Sequence, residues 1–196
     1  MKLNQNTQNI LKNFSEINTN ILIKPGKQLS TISTMRNIFA KADIDESFDT
    51  EFGIYDLNEF LAVMSGLNKP ELSLQDKFMT ISAEGSKSKA KYFYSDPSVL
   101  VSPTKEVNMP EADVTFSVSE SHLTELKKMA AILKTPDLAL VGRKGGDVVL
   151  KVCVKVENLK MLSGDYDVSV SSKSISHFKN KKLPIEYWIA LEPDSS

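Results

Sequence analysis

The sequence is poor in the residue types that chemistry most often needs. Its 196 residues include one cysteine, Cys153, one tryptophan, Trp188, and two histidines, His122 and His177. A lone cysteine excludes an internal disulfide framework and fits a reducing compartment. Within its apolar run Cys153 reads as a buried strand residue rather than a nucleophile. His122 falls in the first turn of an amphipathic helix and His177 in a polar Ser-Lys stretch. Neither has the companions that a catalytic role requires. No glycine-rich phosphate loop and no metal-ligand cluster stands in the sequence, so it does not read as an enzyme and calls for no cofactor. No apolar run approaches the roughly 18 residues of a membrane span. The opening Met1-Lys2-Leu3-Asn4-Gln5-Asn6 lacks the apolar core of a secretory signal, and the expectation is an intracellular protein. Charge of one sign is also missing: 24 Lys and Arg against 25 Asp and Glu leave a formal charge of -1. That excludes gripping nucleic acid by overall charge, so a DNA partner would require the positive residues to be segregated.

What the chain does have is internal repetition. Ile54-Tyr55-Asp56-Leu57-Asn58-Glu59-Phe60 recurs 102 positions later as Val156-Glu157-Asn158-Leu159-Lys160-Met161-Leu162, each copy reading as a strand running into a capped helix. Upstream, Thr7, Leu11 and Phe14 match Ser119, Leu123 and Leu126 at a spacing of 112. Two ordered matches at similar offsets indicate a duplicated domain, an architecture of rings and arrays rather than of a catalytic cleft.

The first copy begins with a helix over Thr7–Asn18, capped by Asn6 or Thr7, with Ile10, Leu11, Phe14 and Ile17 inward and Lys12, Asn13 and Glu16 on the wet face. Four strands follow: Ile21–Ile23, an alternation through Leu29, Ile32 and Thr34 after the Pro25-Gly26 turn, Ile38–Ile44, and Phe48–Tyr55. Asp56 and Glu59 form a capping box for a helix carrying Leu57, Phe60, Leu61 and Met64 and ending at Gly66. Short strands are expected at Leu72–Leu74, Phe78–Ile81, Lys91–Tyr94 and Ser98–Val101. These elements give a first domain over 1–101, and the aperiodic stretch around Pro103 and Pro110 gives a linker over 102–112.

The second domain, 113–196, opens with a strand through Val114, Phe116 and Val118. Ser119 then caps a helix with Leu123, Leu126, Ala130 and Leu133 inward. Strands Leu138–Val141 and Val148–Val156 flank a Gly145-Gly146-Asp147 turn, a short helix spans Asn158–Leu162, and Tyr166–Val170 and Ile185–Leu191 close the domain. The fold class is a β-rich α+β architecture of two repeats. From Leu11 to Leu57 is 46 residues, but from Leu123 to Leu159 only 36. The second repeat is therefore expected to lack about one hairpin, near 152–155.

Asp43, Asp45, Glu46, Asp49 and Glu51 are the densest acidic stretch; alternation with Ile44, Phe48 and Phe52 puts them on the solvent face of strands rather than in a cation site. Lys12, Lys127, Lys128 and Lys134 project from the polar faces of the two equivalent first helices. They are the candidate contacts to phosphates, against the plainer reading of a solvated helix face. Tyr92, Phe93 and Tyr94 alternate along one strand and make no stacking platform for single strands, while Trp188 reads as a packing residue.

Taken together, Leu11-Lys12-Asn13-Phe14 with Ile17-Asn18, Ile54-Tyr55-Asp56-Leu57-Asn58 with Phe60-Leu61, Asp96-Pro97-Ser98, Asn158-Leu159-Lys160-Met161 with Gly164-Asp165-Tyr166, and Tyr187–Glu192 resemble the DNA polymerase sliding clamps of large tailed double-stranded DNA phages, especially marine cyanobacterial phages. The resemblance covers nearly the whole chain. It implies a head-to-tail homotrimer with helices inside and sheet outside that encircles duplex DNA in the host cytoplasm. It further implies opening by an ATP-driven clamp loader, tethering of the replicative polymerase and contact with late-transcription factors. It also implies a partner-peptide groove between the domains, whose nearest candidates are Leu100, Val101, Pro103, Leu191 and Pro193. A departure goes with it: the expected missing hairpin includes an edge that related clamps use between subunits, so this chain is expected to trimerise weakly or not at all. The rival expectation is a virion component built from a duplicated β-rich unit. Clustering of Lys12, Lys127 and Lys128 on one concave surface would favour the clamp.

Overall fold

Helix α1 (Gln5–Ser15) starts earlier than its apolar stripe suggests, because Asn4 is the cap and its side chain accepts from Thr7 N at 2.8 Å. Glu46 fixes that start: its carboxylate accepts from the Asn4 amide and, at 2.6 Å, from Thr7 Oγ1. Ile10, Leu11 and Phe14 are fully buried, as the periodicity requires. This computed structural model describes residues 1–134, 137–142, 148–154, 161–171 and 175–190.

Four strands follow α1. β1 (Ile21–Ile23) pairs with β4 (Phe52–Ile54), and β2 (Gly26–Ile32) forms a hairpin with β3 (Ile38–Phe48), all antiparallel. Helix α2 (Leu57–Gly66) is capped by Asp56, which accepts from the Asn58 and Glu59 amides at 2.9 and 3.1 Å. β5 (Glu71–Leu74), β6 (Phe78–Ser82) and β7 (Lys89–Phe93) then form a meander. The strand expected at Ser98–Val101 is instead a single 3-10 turn, Pro97–Val99: Asp96 accepts from the Ser98 amide and Pro97 supplies the φ of a first helical residue.

Residues 101–113 carry no helix or strand. The second half has β8 (Val114–Val118), α3 (Glu120–Leu133) capped by Ser119, and an antiparallel pair β9 (Asp137–Gly142) and β10 (Val148–Val154). β11 (Tyr166–Ser171), β12 (Ile175–Asn180) and β13 (Ile185–Ala190) close it as a meander. The expected turn at Gly145-Gly146-Asp147 and all of the expected helix Asn158–Leu162 except Met161 and Leu162 lie outside the described residues.

The two halves share one plan. In the second, β8 runs along β11 of the closing meander; in the first, Met1 exchanges backbone hydrogen bonds with Leu72 of β5. They differ between the helices: four strands follow α1, whereas the described residues between α3 and Met161 hold two, β9 and β10, paired with each other.

β13 pairs with β3, so the meander of the second half and the hairpin of the first become one six-stranded sheet ordered β2-β3-β13-β12-β11-β8. A continuous apolar core runs beneath it from Leu11 and Phe14 to Met161, Leu162, Tyr166 and Tyr187. Asn13, expected on the wet face of its helix, is half-buried at this junction. Its Nδ2 donates to Met161 O, and its Oδ1 accepts from Tyr187 Oη at 2.7 Å. Burial pushes the Tyr187 phenol far above its usual range, so it stays a donor. The helix stripe of the second half also needs correction: Leu123 and Ala130 are buried, but Leu133 is 61% exposed.

Candidate nucleic-acid and partner interfaces

The helices carry the basic residues. Lys12 on α1, Lys128 on α3 and Lys134 at the end of α3 are exposed. Lys134 holds a left-handed φ of 49°, which ends the helix there. Lys127 differs from its neighbour. It is half-buried, its Nζ donates to Leu162 O, and burial holds its ammonium below the usual lysine range against the opposing pull of Glu120. Lys127 therefore ties α3 to the chain entering β11, and it is not a free cation for a phosphate. The reason lies in the helix period. Lys127 is one turn from Leu123 and Ala130 and flanks the buried stripe, whereas Lys128 is rotated a further 100° away.

The acidic stretch takes structural partners. Asp45 accepts from Asn4 Nδ2 at 2.8 Å, Asp43 accepts from Gln28 Nε2 at 3.0 Å, and Glu46 caps α1. Among the described residues no group of His, Cys, Asp and Glu is arranged to hold a metal ion.

On the opposite face of the sheet from the core, the linker covers a cavity of about 350 Å³. Its apolar lining is Leu22, Pro25, Phe39, Pro103 and Val107, and Lys24, Lys41, Lys105 and Glu106 supply its charge. Alternation along β3 explains the placement: Ala40, Ala42 and Ile44 enter the core, so Phe39 and Lys41 face outward beneath the linker. Next to Phe39, Trp188 is 6% exposed, with ring centroids 5.3 Å apart, and Lys41 Nζ lies 5.1 Å from the Trp188 ring. His177 stacks on the other side of Trp188 at 4.6 Å and hydrogen-bonds Glu186 at 2.8 Å.

Of the five groove residues expected from sequence, Pro103 lines this cavity. Leu100 does not: it is buried against Gly53, where an added Cβ would lie 2.5 Å from Leu100 Cδ1. Val101 anchors the linker instead, its amide donating to Asn20 Oδ1 at 3.0 Å and its carbonyl accepting from Asn18 Nδ2 at 3.1 Å. Leu191 and Pro193 lie outside the described residues. Sequence reasoning missed Leu22, Phe39, Lys41 and Val107. The signal for Phe39 was present in Ile38-Phe39-Ala40, an unbroken apolar run of a strand covered on both faces.

The sequence profile of the family described as DNA polymerase processivity factor matches residues 2–102. The chain is 30% identical to the sliding clamp of Vibrio phage KVP40 over 222 aligned positions, covering 98% of this chain and 99% of that protein. That span exceeds the 196 residues here, so the relative carries residues with no counterpart in this chain. The sliding clamp of Enterobacteria phage T4 is 28% identical over 93% of this chain and 83% of its own length. In fold, Proliferating Cellular Nuclear Antigen from Entamoeba histolytica superposes with a TM-score of 0.65 at 12% identity, covering 95% of both chains. DNA polymerase III subunit beta from Borrelia burgdorferi does so with 0.67 at 13% identity, covering 98% of this chain and 64% of that one.

Proposed function

Since the chain belongs to the DNA polymerase processivity factor family, the non-enzymatic sliding clamps, we propose that it acts by closing head to tail into a homotrimeric ring around duplex DNA and tethering the replicative polymerase there. The observation that carries this reading is the junction within the chain. The last strand of the second meander, β13, is completed by β3 of the other half. The last strand of the first meander, β7, pairs only with β6 among the described residues. The paired strands β9 and β10 stand in the second half where β3 stands in the first. Repeating the β13–β3 relationship between copies joins β7 of one to the β9–β10 unit of the next, a heterologous contact that closes into a ring when its rotation allows. β3 is 11 residues long while β9 and β10 are 6 and 7, so the contact between copies is weaker than the one within the chain.

In that ring α1 and α3 line the hole, and Lys12, Lys128 and Lys134 face phosphates as point charges without reading sequence. Retention is then topological, which suits a net charge of -1. An ATP-driven loader opens the ring in the host cytoplasm. The cavity beneath the linker takes an apolar side chain from the polymerase, and late-transcription factors bind the same place; its three lysines against one glutamate favour partner segments bearing carboxylates. Primer extension by the cognate polymerase with loader and ATP tests the proposal. Long products that require this chain, and that a Phe39→Ala chain fails to support, are expected. Product lengths indifferent to the chain would contradict it.

A further inference from the structure

The linker is a roof held at its ends. Among the described residues its hydrogen bonds lie at Val101, where it begins, and at Asp113, whose amide donates to Val170 O at 2.9 Å. Between these ends, residues 103–108 cover the cavity. Their height above Phe39 therefore depends on what grips Val101.

Val101 is gripped through both its N–H and its C=O by the turn Asn18-Thr19-Asn20, which joins α1 to β1. Asn18 is 4% exposed, and its one amide nitrogen donates to two carbonyls, Val101 O at 3.1 Å and Ile32 O at 2.9 Å. Val101 stands two residues before Pro103 in the roof, and Ile32 two residues after Ser30 in the floor, so this single group sets the distance between them. Asn20 ties the roof to the wall in the same way. Its Oδ1 accepts from Val101 N at 3.0 Å, and Leu22, two residues further on, lines the cavity.

The turn can hold the roof because it is itself held. Asn18 N donates to Phe14 O at 2.9 Å, the first amide of α2, Leu57 N, donates to Thr19 O at 2.7 Å, and Asn20 N donates to Asn18 Oδ1 at 3.0 Å. At the spacing of 112 that relates α1 to α3, the second half has Ala130 and Ile132 in these places, still inside its helix. The pair of asparagines goes with the linker and not with the repeat.

We infer that Asn18 and Asn20 are positioning residues for partner binding: without touching the partner, they hold the roof at the height at which Pro103 and Val107 close on an apolar side chain seated against Phe39. This rests on the reading of the cavity given above. A roof fixed before the partner arrives needs no further ordering in the complex, so releasing it weakens binding and leaves synthesis by the bound polymerase at its own rate. The two residues act in opposite senses, Asn18 as donor and Asn20 as acceptor, and this sets their substitutions apart. Aspartate keeps the acceptor needed at position 20, but at position 18 it sets an oxygen against two carbonyls where a donor is needed.

The test is primer extension with the full-length chain, loader and ATP, titrating the cognate polymerase. Asn20→Ala raises the polymerase concentration at half-maximal synthesis about three- to tenfold, the worth of one hydrogen bond, and leaves the plateau unchanged. Asn20→Asp restores the wild-type value, whereas Asn18→Asp does not. A role confined to stability moves the denaturant midpoint and leaves the half-maximal concentration alone. Asn20→Ala at the wild-type half-maximal concentration, while Phe39→Ala still fails to support long products, overturns the assignment and leaves the cavity standing. A lowered plateau at an unchanged half-maximal concentration, or an Asn20→Asp chain no better than Asn20→Ala, also overturns it. Product lengths indifferent to Phe39→Ala overturn the reading of the cavity and this assignment with it.

Discussion

β7 and β13 end equivalent meanders, yet one finishes a sheet and the other stops at an edge. The difference lies in the neighbour, since each strand alternates inward aromatics (Tyr92; Tyr187) with an outward aromatic (Phe93; Trp188). A duplicated fold thus gives each repeat two sides; one pair meets within the chain, and in the proposed ring the other pair meets between copies. Exposed edges are a liability unless they are used or blunted, and Lys89 and Lys91 place charge on β7.

The strongest way to break the comparison is through α1, which serves both halves. Phe14 is fully buried in the shared core, and Phe14→Ala costs about 3–5 kcal/mol by leaving a cavity. Because the core is continuous, chemical denaturation followed by Trp188 fluorescence and by far-ultraviolet circular dichroism shifts as one transition. Separate transitions for the two halves would show that the junction does not couple them.

Asn13→Ala acts on the junction alone. It takes the Asn13 acceptor from the Tyr187 hydroxyl, which keeps Tyr166 beside it, and the Asn13 donor from the Met161 carbonyl, at about 0.5–1.5 kcal/mol for each hydrogen bond lost. Hydrogen exchange then accelerates at α1 and β13 and leaves the β5–β7 meander unchanged. Gly53→Ala sharpens the contrast from the other side. Its Cβ would lie 2.5 Å from Leu100 Cδ1 and 2.7 Å from Ser95 O, and overpacking of this kind costs about 1–3 kcal/mol, here confined to the first half and the start of the linker.

The helix caps give a smaller contrast. Asp56 accepts from two amides at 2.9 and 3.1 Å, while Ser119 accepts from one, that of His122, at 3.4 Å. Asp56→Ala is expected to cost about 1 kcal/mol and Ser119→Ala about 0.5, both read by denaturant midpoint. The smallest effect separates adjacent lysines. If α1 and α3 face the duplex, Lys12→Gln and Lys128→Gln each lower the slope of log affinity against log salt by about 0.9 for every copy whose lysine meets a phosphate, and Lys127→Gln leaves it unchanged.

Most of the fold was legible in the sequence because its periods are clean. The 3.6-residue stripe of α1, the Asp56 cap and the alternation of β8 each stand where their residues place them. Several of the errors share a cause, which is a partner distant in the chain. Asn13 looks polar and exposed until Met161 and Tyr187 come beside it, and α1 is capped at Asn4 because Glu46 reaches in from β3. Lys127 matches Lys128 in type and differs only through Leu162. The cavity was less legible still. Pro103 marks the linker, but Phe39 and Lys41 are named as its floor only once the linker is known to cross β3.

Sedimentation equilibrium of the wild-type chain without DNA tests the central claim most directly. The account predicts a concentration-dependent species near three times the 21.8 kDa chain, about 65 kDa for a closed trimer. A mass that stays at 21.8 kDa up to the highest soluble concentration would contradict it.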